Sequence, residues 1–202
     1  MRNKENVLRE QVNRLGRPSL EQLDREAVRL GRVDGYRRLC GSFIVSLVAV
    51  AAVIVLVTNL WVTVLRIDGS SMNPLFQMNE IVVAVHTASP AKGSAAAFYQ
   101  NNQLHVKRVI AMAGDTVEID EEGAVTVNGR ALDEPYVEQP SRSSCDIDFP
   151  FRVPDGMVFV MGDNRPLSLD SRHSSFGTVY KDQIVGRVLF RVWPLSRLGK
   201  IN

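Results

Sequence analysis

The residues able to do chemistry begin with Ser71, in the stretch Gly69-Ser-Ser-Met-Asn-Pro74. A hydroxyl-rich turn closed by proline can present a serine for acyl transfer if a base takes its proton. The menu of bases is short: His86, His105, His173, or a lysine whose pKa is drawn toward neutrality by loss of water. Lys107 stands out for its apolar flanks, Leu104, Val106, Val109 and Ile110. On a strand, alternation puts His105, Lys107 and Val109 on one face and Val106 and Arg108 on the other. From these residues alone the ammonium is expected at a water-exposed edge, with burial and a depressed pKa as the alternative. A third group, Met161-Gly-Asp-Asn-Arg165 with Ser168, Asp170 and Arg172, reads by itself as a charged, solvated loop. The two cysteines, Cys40 and Cys145, have no metal-ligand spacing, so neither a metal nor a cofactor is expected.

The elements that must position these groups start with a membrane candidate. Leu39 to Leu65 is a run of 27 residues without a charge, and a bilayer core needs about 20. Residues 1–38 precede it and carry 10 Lys/Arg against 6 Asp/Glu. A cleaved secretory signal has a shorter apolar region, of about 7–15 residues, so the run is expected to be an uncleaved signal anchor. Arg25, Arg29, Arg32, Arg37 and Arg38 lie just before it, whereas only Arg66 follows before Lys92. The positive-inside rule then puts residues 1–38 in the cytoplasm and 66–202 outside. Cys40, at the start of the run, and Cys145, far beyond it, are expected on opposite sides of the span, which argues against an intrachain disulfide. Trp61 fits an outer interfacial anchor. Ser71 would lie within about 20 Å of the span, at ~3.5 Å per extended residue.

Within the first segment, Ser19 with Gln22 fits a capping box. Leu20, Leu23, Ala27 and Leu30 then recur at helical spacing, predicting a short amphipathic helix broken near Gly31 and Gly35. Residues 66–202 read as mainly β, mostly antiparallel. Candidate strands are Glu80 to Val85, Leu104 to Met112, Thr116 to Ile119, Ala124 to Val127 before the Asn128-Gly129 turn, Val158 to Met161 and Ile184 to Trp193. Ser89 to Asn102 is expected to be a loop and Glu134 to Pro154 a surface excursion. No basic stripe with interleaved aromatics appears, so nucleic acid is not an expected partner.

Taken in order, Gly69-Ser-Ser-Met-Asn-Pro74, Lys107-Arg-Val-Ile110 with Gly114-Asp115, and Gly162-Asp-Asn-Arg165 with Ser168, Asp170 and Arg172 resemble the boxes of type I signal peptidases, Gram-positive type. Val127-Asn-Gly129, Glu134-Pro-Tyr136 and the ending Gly186 to Pro194 carry the same resemblance, which extends over roughly residues 42 to 200. It implies a bacterial membrane-bound serine endopeptidase with a signal-peptidase-type β domain outside a single-pass anchor. Its substrates would be preproteins, cut after a small residue, and membrane lipid its other partner. It further implies Ser71 as nucleophile, Lys107 as a neutral-amine general base, Ser168 orienting the lysine, and Asp170 with Arg172 bracing the loop. The backbone N–H of Ser71 would serve the oxyanion hole. Gly69 stands where some members carry a serine that assists the oxyanion, Ala111-Met-Ala-Gly-Asp115 replaces the common Gly-Leu-Pro-Gly-Asp, and Asn79-Glu80 replaces Gly-Asp. Ile81, Val82 and Val83, just after the nucleophile turn, are expected to wall the substrate pockets. Two alternatives stand beside this reading: a hydrolase using His105 or His173 with an aspartate, and a catalytically silent, membrane-tethered peptide-binding domain.

Overall fold

The computed structural model describes residues 19–87, 90–142 and 145–201. The chain divides into two compact units, residues 1–55 and 56–202. Helix α1 (Leu20–Trp61) starts at the expected capping box. Gln22 N–H donates to Ser19 Oγ at 3.3 Å and Ser19 N–H to Gln22 Oε1 at 3.0 Å, so two orphan donors of the first turn are satisfied reciprocally. The short amphipathic helix is corrected: the helix runs on through Gly31 and Gly35. An interior glycine costs only about 1 kcal/mol, too little to stop a helix that has strong formers on both sides. The side chains of Ala27 and Leu30, half of the expected stripe, lie outside the described residues, as do residues 1–18.

The uncharged run is not one element. The helix ends at Trp61, and β1 (Val62–Arg66) takes its last residues into the sheet of the second unit. Among the described residues, no helix is long and apolar enough to cross a membrane. At the change of element, Thr63 Oγ1 meets His86 Nε2 at 2.7 Å and His86 Nδ1 meets the Leu60 carbonyl at 2.8 Å. A carbonyl can only accept, so Nδ1 carries the proton and Nε2 accepts from the hydroxyl.

The second unit is built on antiparallel sheets. Its remaining strands are β2 (Ile81–His86), β3 (Ala95–Gln100), β4 (Gln103–Met112), β5 (Thr116–Ile119), β6 (Val125–Val127), β7 (Arg130–Ala131), β8 (Phe151–Arg152), β9 (Met157–Met161), β10 (Val179–Tyr180), β11 (Ile184–Trp193) and β12 (Gly199–Lys200). The large sheet has the order β1-β2-β11-β3-β4-β9-β10, with β12 beside β11, and the small one the order β7-β6-β5-β8. Within the expected loop Ser89 to Asn102, the stretch Ala95–Gln100 is therefore corrected to a central strand, while Pro90 to Ser94 stay irregular and Ser89 lies outside the described residues. Ala95, Ala96, Ala97 and Phe98 are buried on both faces between β11 and β4, where alanine's small side chain fits the space and overrides its weak strand preference. Asn101 and Asn102 both have positive φ, 49° and 62°, and form the two-residue turn that joins β3 to β4.

In a flat sheet β1 and β4 would stand roughly 19 Å apart, four steps of ~4.8 Å. Yet Leu65 from β1, Val82 and Ala84 from β2, Val188 from β11, Ala95 and Ala97 from β3 and Val106 from β4 share one apolar cluster. The sheet therefore curls around that cluster, and Met72 and Phe76 of the segment that follows Ser71 plug it. The small sheet closes a second cluster over Ile110, Phe159 and Met161.

Candidate active site

Ser71 sits in a turn pinned on both sides. Asn73 N–H donates to Ser70 O at 3.1 Å and Phe76 N–H to Met72 O at 2.9 Å. The loop after β9 grips the turn from outside: Asn164 N–H donates to Ser71 O at 3.0 Å, and its Nδ2 to Ser70 O at 3.2 Å. Gly162 makes this approach possible. A Cβ there would lie 2.3 Å from Ser168 Oγ and 2.4 Å from Ser71 O. Gly69 has φ +112° with open space around a would-be Cβ, so backbone conformation rather than crowding selects glycine at that position.

Lys107 is buried, with 4% of its surface exposed. The edge exposure expected from its flanks is thereby corrected. In β4 it pairs with Ala96 of β3, and the strand is covered on both sides by neighbours, so no edge is available. Its Nζ donates to Ser168 Oγ at 2.9 Å. Burial pulls the ammonium down from its usual 10.5 to about 8; Asp170 and Asp163 oppose the fall and Arg172 adds to it. Lys107 and Ser71 line one cavity of about 90 Å³, together with Ile67, Gly69, Met72 and Val106. Among the described residues no hydrogen bond occupies Ser71 Oγ or Ser71 N–H.

Asp170 and Arg172 form a buried pair, Nε to Oδ1 at 2.8 Å and Nη2 to Oδ2 at 2.9 Å. Asp170 also accepts from Gly162 N–H at 3.0 Å, while Arg172 donates to Arg165 O at 2.8 Å and Ser141 O at 2.9 Å. Burial alone would raise the Asp170 carboxyl, but the Arg172 guanidinium holds it below the usual carboxylate range. The loop read in isolation as solvated is in fact a buried brace that holds Ser168 against the lysine.

A second brace was not assigned from sequence. Arg108, next to Lys107 but on the other face, grips Asp163 through Nε at 2.8 Å and Nη2 at 2.6 Å, and stacks 3.7 Å from the Tyr136 ring centroid. Tyr136 OH donates to Glu134 Oε1 at 2.7 Å, and Arg165 Nη2 donates to the same oxygen at 2.5 Å. The stretch from Glu134, expected as a surface excursion, is thus bolted to the loop under Ser71. A third brace joins Glu80, 2% exposed, to Arg191 at 2.8 Å and Arg197 at 2.6 Å. Arg191 in turn donates to Leu75 O, just beyond the Ser71 turn. The signal available in sequence was an arginine beside the candidate base and acids inside otherwise apolar segments.

Of the other residues considered from sequence, Ile81, Val82, Val83 and His173 lie away from the cavity and His105 lines it. Val82 is fully buried in the core, and Ile81 and Val83 are half-buried beside it; none lines the cavity. His173 approaches Asp146 at 3.6 Å and does not line the cavity. His105 does line it, but packs against the Phe98 and Phe176 rings at 6.1 and 5.6 Å, and burial lowers its pKa. Among the described residues no carboxylate is hydrogen-bonded to it, so the serine–histidine–aspartate alternative has no geometry here.

Residues 40–193 match the family described as signal peptidase, peptidase S26. The chain belongs to that family. Membership makes it a serine endopeptidase of the signal peptidase I type and sets aside the catalytically silent alternative. It is 36% identical over 174 residues to a signal peptidase IB of Staphylococcus aureus, covering 76% of this chain and 90% of the relative. A probable signal peptidase I-2 of Synechocystis is 32% identical over 148 residues, covering 67% of this chain and 65% of the relative. The crystal structure of a signal peptidase I from Enterococcus faecalis aligns at a TM-score of 0.41 with 31% identity, over 49% of this chain and 96% of that one.

Proposed function

We propose that this endopeptidase removes signal peptides from preproteins through a Ser71–Lys107 dyad, with residues 66–202 outside a bacterial membrane. The observation that carries the reading is a buried lysine with a pKa near 8 in the same small cavity as an unengaged serine hydroxyl. Neutral Lys107 Nζ takes the Ser71 proton as Oγ attacks the scissile carbonyl carbon. The Ser71 N–H, which has no internal acceptor among the described residues, steadies the oxyanion. The C–N bond breaks, and the Lys107 ammonium returns the proton to the leaving amine. Lys107 then deprotonates a water that attacks the acyl carbon; the ester C–Oγ bond breaks, the Lys107 ammonium reprotonates Ser71 Oγ, and the released acid ionises to a carboxylate in water. Ser168 holds Nζ in place at 2.9 Å.

A cavity of about 90 Å³ beside Ser71, walled by Ile67, Met72 and Val106, supports cleavage after a small residue, since a longer side chain overfills it. The uncharged run Leu39 to Leu65 and the Arg-rich flank before it support a single-pass anchor with a cytoplasmic N-terminus. Every described side chain from Cys40 to Leu56 is exposed, an apolar surface that lipid would cover. The test is cleavage of a preprotein by the full chain in detergent, with the product N-terminus mapped. A single cut after a small residue is expected, with Ser71→Ala and Lys107→Ala each lowering the rate at least ~10³-fold. Cleavage that survives Lys107→Ala would overturn the dyad.

A further inference from the structure

We propose that the second cavity beside the nucleophile turn, about 370 Å³, binds the first residues of the substrate beyond the scissile bond, and that Glu138 makes it favour positive charge there. The proposal rests on the Ser71–Lys107 reading above.

Besides a cavity at the Pro74–Leu75 end, two cavities meet the turn close to Ser71. The one of about 90 Å³ that contains Lys107 has room for one small side chain of the acyl half. An extended chain advances ~3.4 Å per residue, so the departing half must run elsewhere. The larger cavity is walled by Asn73, Glu138, Gln139, Asn164, Pro166 and Leu167. Its distance from the chemistry is short: Asn164 N–H is 3.0 Å from Ser71 O, and the Asn73 Cα cannot be more than ~7.6 Å from that of Ser71. That is the reach of one or two extended residues.

The cavity is preformed and its charge can be counted. Asp163 in the wall is neutralised by Arg108, and Arg165 is neutralised by Glu134 while its Nε holds Gly162 O at 3.1 Å. Glu138 is exposed and has no ion-pair partner among the described residues, leaving one uncompensated negative charge. Leu167, 69% exposed, and Pro166 offer an apolar lip for the methylene stem of a long cationic side chain. The ligand that fits is an extended peptide with Lys or Arg at the first or second position after the cut, and an acidic residue there is disfavoured.

The experiment uses the full chain in detergent at low salt, with peptides identical up to the cut and carrying Lys or Glu at the first or second position after it. The wild type is expected to favour Lys by about threefold or more in kcat/KM, in keeping with one exposed charge pair. Glu138→Gln should erase the preference and Glu138→Lys should invert it, while added salt should shrink it. An unchanged preference in Glu138→Lys, no preference in the wild type, or an equal loss on both peptides overturns the subsite. Ser71→Ala separates the two ideas: if cleavage persists in it, the dyad falls, whereas cleavage lost in it with preference indifferent to Glu138 sinks only the subsite.

Discussion

A lysine in water keeps its proton up to about pH 10.5, whereas Lys107 gives its proton up near pH 8 because burial strips the ammonium of water. For a neutral-amine base, kcat/KM should climb about tenfold per pH unit below that value and level off above it. A midpoint near 6.5 would point to histidine instead. The same shift acts on stability. Below pH 8 both folded and unfolded states carry the proton, and the folded state bears the cost of a buried charge, about 3 kcal/mol from the difference between 10.5 and 8. Between pH 8 and 10.5 the unfolded chain binds the extra proton, so stability rises with pH. Lys107→Met should therefore be inactive but more stable than the wild type at pH 6, by ~1–3 kcal/mol, with the gain shrinking as pH passes 8. Urea unfolding at several pH values checks this; a variant less stable at pH 6 contradicts it. The flanks of Lys107 were legible in sequence, but its burial was not, because that depends on which strands lie on either side of β4.

At the level of elements, the site is where three loops are pressed together with little slack. Gly162 separates Ser168 Oγ from Ser71 O by less than a methyl group requires. Gly162→Ala must push the nucleophile turn off the loop carrying Ser168, with a loss of ~10²-fold in kcat and ~1–3 kcal/mol of stability. A melting curve and single-turnover cleavage would measure both, and activity within twofold of wild type would refute the packing argument. Glu80 anchors the other side. Glu80→Ala leaves Arg191 and the one-third-exposed Arg197 without their shared acid and should cost about 1–3 kcal/mol of stability, read by urea denaturation. Strands with apolar alternation, such as Thr116–Ile119 and Ile184–Trp193, were readable to the residue. Ala95–Gln100 was not, since three alanines signal no strand until their neighbours are known, although Asn101-Asn102 held a hairpin signal. The start of β1 was hidden for another reason: Val62–Arg66 continues the apolar run in composition but is paired with β2.

For the whole molecule, the separation into residues 1–55 and 56–202 predicts that the second unit folds alone. A fragment of residues 56–202 should unfold in one cooperative step and cut a short peptide, but leave the membrane pellet after a carbonate wash that retains the full chain. A fragment that unfolds without a cooperative transition would contradict this. The sequence by itself determined the chemical inventory, the mainly β class, the capping box at Ser19 and the uncharged run, because these depend on residue type and near-neighbour spacing. Only the tertiary structure decided that Lys107 is dry, that Asp163 and Glu80 are buried braces, and that Ile81, Val82 and Val83 stand away from the cavity, and only it gave the Ser168–Lys107 and Asp170–Arg172 pairings implied by the resemblance their contacts. Those facts depend on contacts between residues such as Lys107 and Ser168, 61 positions apart, and on the curl of a sheet whose strand order no local pattern encodes. The turn at Ser71 is visible in the chain as a hydroxyl near a proline, and comes to line the same cavity as Lys107 only when β4 and the loop after β9 close on it.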